Sequence, residues 1–133
     1  MEKLEHIGIA VKNLGEANKV FASLLGIEHY KTEEVPSEGV KTSFFEIGGV
    51  KIELLEATGQ DSPISRFIEK KGEGIHHLAF EVSDINESLK KYSELGFQVV
   101  SQEPKQGADN KMIFFLHPKS TNGVLIELCQ EIE

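Results

Sequence analysis

His6-Ile7-Gly8-Ile9-Ala10-Val11 and His77-Leu78-Ala79-Phe80-Glu81-Val82 read as two copies of one strand. Each is followed by a stretch of helical periodicity. The first stretch stops at Leu25-Gly26-Ile27 and the second at Leu95-Gly96-Phe97. Each half then closes on a similar apolar strand, Gly49-Val50-Lys51-Ile52-Glu53-Leu54 or Gly123-Val124-Leu125-Ile126-Glu127-Leu128. The offsets between copies are 71 residues from His6 to His77, 70 from Gly26 to Gly96 and 74 from Glu53 to Glu127. Near-constant spacing marks an internal duplication, in which a histidine opens each half and a glutamate closes it.

Between these landmarks the order is β-α-β-β-β, twice. Leu4 to Val11 alternates with period two, as a strand does. Asn13 is placed to cap a helix running to about Leu25, with Leu14, Ala17, Val20, Phe21, Leu24 and Leu25 as its apolar stripe and Gly26 as its stop. Strands are expected at 28–35, Val40 to Ile47 and Val50 to Glu56, the last two joined by the Gly48-Gly49 hairpin signal. Ser62-Pro63 starts a connecting helix. The second half repeats the order, with a strand from Ile75 to Val82 and a helix capped at Ser83 or Asp84. Strands then follow near 97–102, 111–116 and 123–129, with loops at 105–110 and 117–122. The expected fold is α+β, built of two βαβββ modules. The whole chain, 1–133, is expected to be a single domain of modules 1–60 and 75–133, with 61–74 as the connecting helix.

With 133 residues the chain can bury a core without disulfides. One cysteine, Cys129, allows no internal disulfide and reads as a small buried hydrophobe. A formal net charge of -8 disfavours nucleic acid and anionic membranes as partners. No stretch is apolar and long enough for a signal peptide or a membrane span, so a cytoplasmic protein is expected.

The chemistry concentrates in four residues. His6 and His77 each share a pleat face with small residues, which leaves open space before the imidazole. Glu53 and Glu127 lie in strongly apolar strands, where a carboxylate must be paired, hydrogen-bonded or metal-bound. Taken singly, each is more often structural. Their equivalent places in the two copies change that, because a pseudo-twofold axis would bring all four together. Two imidazoles and two carboxylates suit a borderline divalent ion. His76 falls on the opposite pleat, as core or support. His117 opens a loop after a strand, where a turn histidine is the ordinary reading and a substrate contact the functional one.

The chain resembles the vicinal oxygen chelate superfamily, and within it the methylmalonyl-CoA epimerase family. The likeness rests on Glu53-Leu54-Leu55-Glu56 with Asp61-Ser62-Pro63-Ile64, on Gly74-Ile75-His76-His77-Leu78-Ala79-Phe80-Glu81-Val82, and on Phe115-Leu116-His117-Pro118-Lys119-Ser120 running into Gly123-Val124-Leu125-Ile126-Glu127-Leu128. It implies that the two modules form a curved mixed sheet around a metal site, with His6, Glu53, His77 and Glu127 as metal ligands, cobalt as the first expectation with zinc, manganese or nickel behind it, and a homodimer. The implied reaction interconverts (R)- and (S)-methylmalonyl-CoA through a metal-stabilised enolate, with Glu127 as one acid/base. Where the family has its second glutamate, this chain has Thr42. Glu46 shares that pleat face but lies about 13 Å along the strand. Lys105, Lys111 and Lys119, with His117, are candidates for contacts to coenzyme A. The alternatives are a glyoxalase I-type lyase on a glutathione hemithioacetal and a non-catalytic small-molecule-binding module.

Overall fold

The computed structural model describes residues 1–133. Two compact units emerge, one made of His6–His76 and the other of Met1–Glu5 with His77–Glu133.

In the His6–His76 unit the elements are β1 (Lys3–Ala10, whose first three residues belong to the other unit), α1 (Leu14–Leu25), β2 (Lys31–Val35), β3 (Val40–Ile47), β4 (Val50–Ala57) and α2 (Pro63–Lys71). The sheet order is β2-β3-β4-β1. β4 runs parallel to β1 and antiparallel to β3, so the sheet is mixed. Gly48 and Gly49 turn the β3–β4 hairpin at φ 60° and 85°. Two left-handed residues in a row match the twist of the strands and favour glycine. One pleat face carries Ile9, Phe45, Ile52 and Leu54, which pack with Val11 and Leu14 under Phe21 and Leu25 of α1. Asn13 caps α1 by accepting from the Glu16 amide at 2.9 Å. The opposite face carries His6, Gly8, Thr42, Phe44 and Glu53.

The second unit repeats this plan with β5 (Gly74–Glu81, joined at His77), α3 (Ile85–Glu94), β6 (Lys105–Gln106), β7 (Lys111–Leu116) and β8 (Ile126–Glu131). Its order is β5-β8-β7-β6, with β8 parallel to β5 and antiparallel to β7. Val82, Ile85, Phe114, Leu116 and Leu128 form its core with Leu89 and Tyr92 of α3. The other face holds Ala79, Ile113, Cys129 and Phe115.

Both halves therefore show the expected β-α-β-β-β order, with several strand ends shifted by one or two residues and three larger differences. The second strand starts at Lys31 rather than residue 28. No regular strand forms over 97–102: Val99 makes one bridge to Leu116, the Ser101 hydroxyl folds back to the Glu103 carbonyl at 2.9 Å, and Pro104 lacks a donor. The short β6 falls instead inside the expected 105–110 loop. The last strand begins at Ile126 rather than 123, because Asn122 and Gly123 take φ 56° and 87° and form a left-handed turn. No helix is long and apolar enough to cross a membrane.

Candidate functional site

Strand register sets the first half of the site. Gly8 of β1 and Phe44 of β3 lie on either side of Glu53 in the pleated sheet. The glutamate thus has a residue without a side chain on one flank and a buried ring on the other. His6 reaches across that gap, and its Nε2 lies 3.3 Å from Glu53 Oε1. The second half uses the same device. Ala79 of β5 and Phe115 of β7 flank Glu127. His77 Nε2 lies 3.3 Å from Glu127 Oε1, and the His77 ring stands edge-on to Phe115 at 6.0 Å.

All four side chains are buried, with residue exposures of 6% for His6, 4% for Glu53, 4% for His77 and 5% for Glu127. A separation of 3.3 Å is long for a charge-assisted hydrogen bond, which contracts to about 2.7–2.9 Å. It suits two ligands of one ion. Donor atoms about 2.1 Å from a metal lie about 3.0 Å apart at a right angle and about 3.4 Å apart at the tetrahedral angle. The donor set and the spacing within each pair both fit a divalent metal.

The other predicted residues are placed as follows. His76 points away from its neighbour's face and meets the Phe67 ring of α2 edge-on at 4.9 Å. Burial, aided by the Lys71 charge, lowers its pKa from 6.5 to about 4, so it is neutral at pH 7. Thr42 is fully buried, and its hydroxyl donates to the Glu33 carbonyl at 3.4 Å. Glu46 is exposed. His117 caps a 3-10 turn (Pro118–Ser120), its Nδ1 accepting from the Lys119 amide at 3.0 Å. The Lys105 and Lys119 side chains are exposed. Lys111 is not in a loop: it opens β7, is 5% exposed, and its Nζ lies 4.0 Å from carboxylate oxygens of both Glu5 and Asp109. Cys129 is buried beside the second pair, and burial followed by the Glu127 and Glu5 charges pushes its thiol pKa up. It is no nucleophile.

Two residues escaped the sequence reading. Glu56 Oε1 accepts from the Leu14 amide at 2.6 Å, and Gln130 Oε1 accepts from the Ile85 amide at 2.8 Å. Each stands three residues after the site glutamate of its half and ties that strand to the first turn of the half's helix. The signal was present in the repeat, since Glu56 and Gln130 keep the 74-residue offset of Glu53 and Glu127.

Residues 5–115 match the Glyoxalase/Bleomycin resistance protein/Dioxygenase superfamily, and the chain belongs to it. Its relatives are more specific. The ethylmalonyl-CoA/methylmalonyl-CoA epimerase of Cereibacter sphaeroides is 42% identical over 130 residues, covering 96% of this chain and 97% of its own. The mitochondrial methylmalonyl-CoA epimerase of Bos taurus is 39% identical over 129 residues, covering 96% and 74%. A structure of a Streptomyces coelicolor methylmalonyl-CoA epimerase variant in complex with 2-nitronate-propionyl-CoA superposes with a TM-score of 0.94 at 33% identity, over 98% of this chain and 95% of that one.

Proposed function

We propose that this chain is a metal-dependent epimerase that interconverts (R)- and (S)-methylmalonyl-CoA, with His6, Glu53, His77 and Glu127 as ligands of one divalent ion. The observation that carries the reading is the repeated buried His–Glu pair, spaced at 3.3 Å in each unit. It stands in a chain that matches curated epimerases along nearly its whole length. Cobalt and a homodimeric assembly are the expectations that come with the family resemblance.

When bound, the ion supplies Lewis acidity for the negative charge that builds on the thioester oxygen as the α-proton leaves. The remaining work belongs to side chains. Glu127 would take the α-proton from one face of the substrate, and supply a proton to that face in the reverse direction. Phe44 and Phe115 exclude water beside the two glutamates, while Gly8 and Ala79 leave room for the substrate. An alcohol such as Thr42 is too weak a base to serve the opposite face, and Glu46 is exposed and too far along the strand. The acid/base of the opposite face is therefore another side chain, or a water that such a side chain activates. Lys105 and Lys119 meet the coenzyme A portion, whose phosphates suit exposed cations, and His117 holds the turn that carries Lys119.

The test is solvent exchange. Incubation of the metal-loaded protein with methylmalonyl-CoA in D2O should place deuterium at the α-carbon during epimerisation, and a glutathione hemithioacetal should not turn over. Absence of exchange on the CoA ester with turnover of the hemithioacetal would transfer the site to the lyase reading. Absence of both would leave a binding module.

A further inference from the structure

The chain passes from one compact unit into the other at two peptide bonds, Glu5–His6 and His76–His77. His6 is thus the first residue of its unit, and His77 the first residue of the longer segment of the other. The residue before each is anchored, by its side chain, in the unit the chain is leaving. His76 is held edge-on against Phe67. Glu5, 3% exposed, pairs with the buried Lys111 at 4.0 Å, and the same ammonium also neutralises Asp109 at 4.0 Å.

We propose that Glu5 and Lys111 are positioning residues for His6: their buried ion pair fixes β1 one residue ahead of the ligand. The inference rests on the metal-site reading above. Lys111 itself is no partner of the ion. It lies four residues before Phe115, the residue opposite Glu127, and hence about 13 Å along the strand from that level. Its contacts with two carboxylates also argue against a substrate phosphate on the same ammonium. A buried ion pair adds little stability over an apolar pair of similar volume, whereas removing one partner strands a charge. What the pair contributes is a defined place for the backbone at Glu5, and His6 is bonded directly to it. The interaction is Coulombic rather than a direct hydrogen bond, since 4.0 Å exceeds hydrogen-bond range.

The test titrates Co2+ into metal-free full-length protein, reading affinity, the visible spectrum of the bound ion and the Tm of the metal-free form. Lys111→Met should weaken affinity at least tenfold and alter the spectrum, and Lys111→Arg should restore both. Leu89→Ala, which loosens α3 in the same unit, is the stability control: its Tm should fall while its affinity stays within twofold of wild type. If Lys111→Met does not fold, Glu5→Gln should show the same change in milder form, at least threefold in affinity. Wild-type affinity and spectrum in Lys111→Met or Glu5→Gln, or an equal loss of affinity in Leu89→Ala, overturns the positioning role while leaving the metal site standing. A wild-type protein that takes up no cobalt overturns the metal-site reading, and this inference with it.

Discussion

Replacing Glu56 costs the fold more than replacing Gln130, although both accept from the first amide of a helix. Glu56 reaches the Leu14 amide at 2.6 Å with a charged oxygen, and Gln130 reaches the Ile85 amide at 2.8 Å with a neutral one. Leu14 and Ile85 are buried, so an amide stripped of its acceptor cannot readily turn to water. A hydrogen bond to a charged group contributes about 1.5–3 kcal/mol and a neutral one about 0.5–1.5 kcal/mol. A negative charge at a helix N-terminus contributes about 0.3–1 kcal/mol besides. Glu56→Ala should therefore cost about 2 kcal/mol, Gln130→Ala about 1 kcal/mol, and Glu56→Gln, which keeps the acceptor and loses the charge, about 1 kcal/mol. Urea unfolding of metal-free protein measures these differences without the stabilisation that a bound ion adds. In thermal scans each kcal/mol should appear as about 3 °C. High salt should shrink the gap between Glu56→Ala and Glu56→Gln by screening. The reasoning is refuted if Glu56→Gln is as costly as Glu56→Ala, or if both stay within about 0.3 kcal/mol of wild type.

Thr42→Val should keep epimerisation within threefold of wild type, because an alcohol bonded to a backbone carbonyl moves no proton; a loss beyond tenfold would give Thr42 a chemical role. Glu127→Gln should lower the rate by about two to four orders of magnitude, the usual weight of one acid/base group. A rate within tenfold of wild type removes Glu127 from that role. His76 gives a pH signature. Its pKa is lowered from 6.5 to about 4 on folding, so between those values the unfolded chain binds more protons. Its contribution is fully present above about pH 6.5 and is lost as pH falls through about 4. It is worth about 3 kcal/mol from the gap between the two values. Subtracting the pH–stability profile of His76→Leu from that of wild type should leave that step, and a flat difference would contradict it.

The duplication made most of the fold legible. α1 over 14–25 and β3 over 40–47 fall where the caps and hairpin glycines predict, although Val20 and Leu24 of the expected α1 stripe face outward, at 61% and 71% exposure. The misreadings lie where apolar content and backbone chemistry disagree. Phe97, Val99 and Val100 are strand formers, yet Ser101 and Pro104 end the pairing. Val124 and Leu125 are apolar, yet the left-handed Asn122 and Gly123 delay β8. The repeat marked His6, Glu53, His77 and Glu127 by their equivalent places, whereas the contact of each histidine with the glutamate of its own half depends on strand pairing that the repeat does not spell out. The burial of Lys111 did not, because its partner Glu5 lies more than a hundred residues away and no periodicity announces an ion pair across a sheet. Glu56 and Gln130 were visible in the repeat offset, but their geometry depends on where a helix starts relative to a distant strand.

Stoichiometry is the direct test of the central claim, that two duplicated His–Glu pairs serve a single ion. Cobalt titration of metal-free protein should end at one ion per chain, and His6→Ala and His77→Ala should each abolish that tight binding. Two ions per chain, or tight binding that survives the loss of either histidine, would contradict the account.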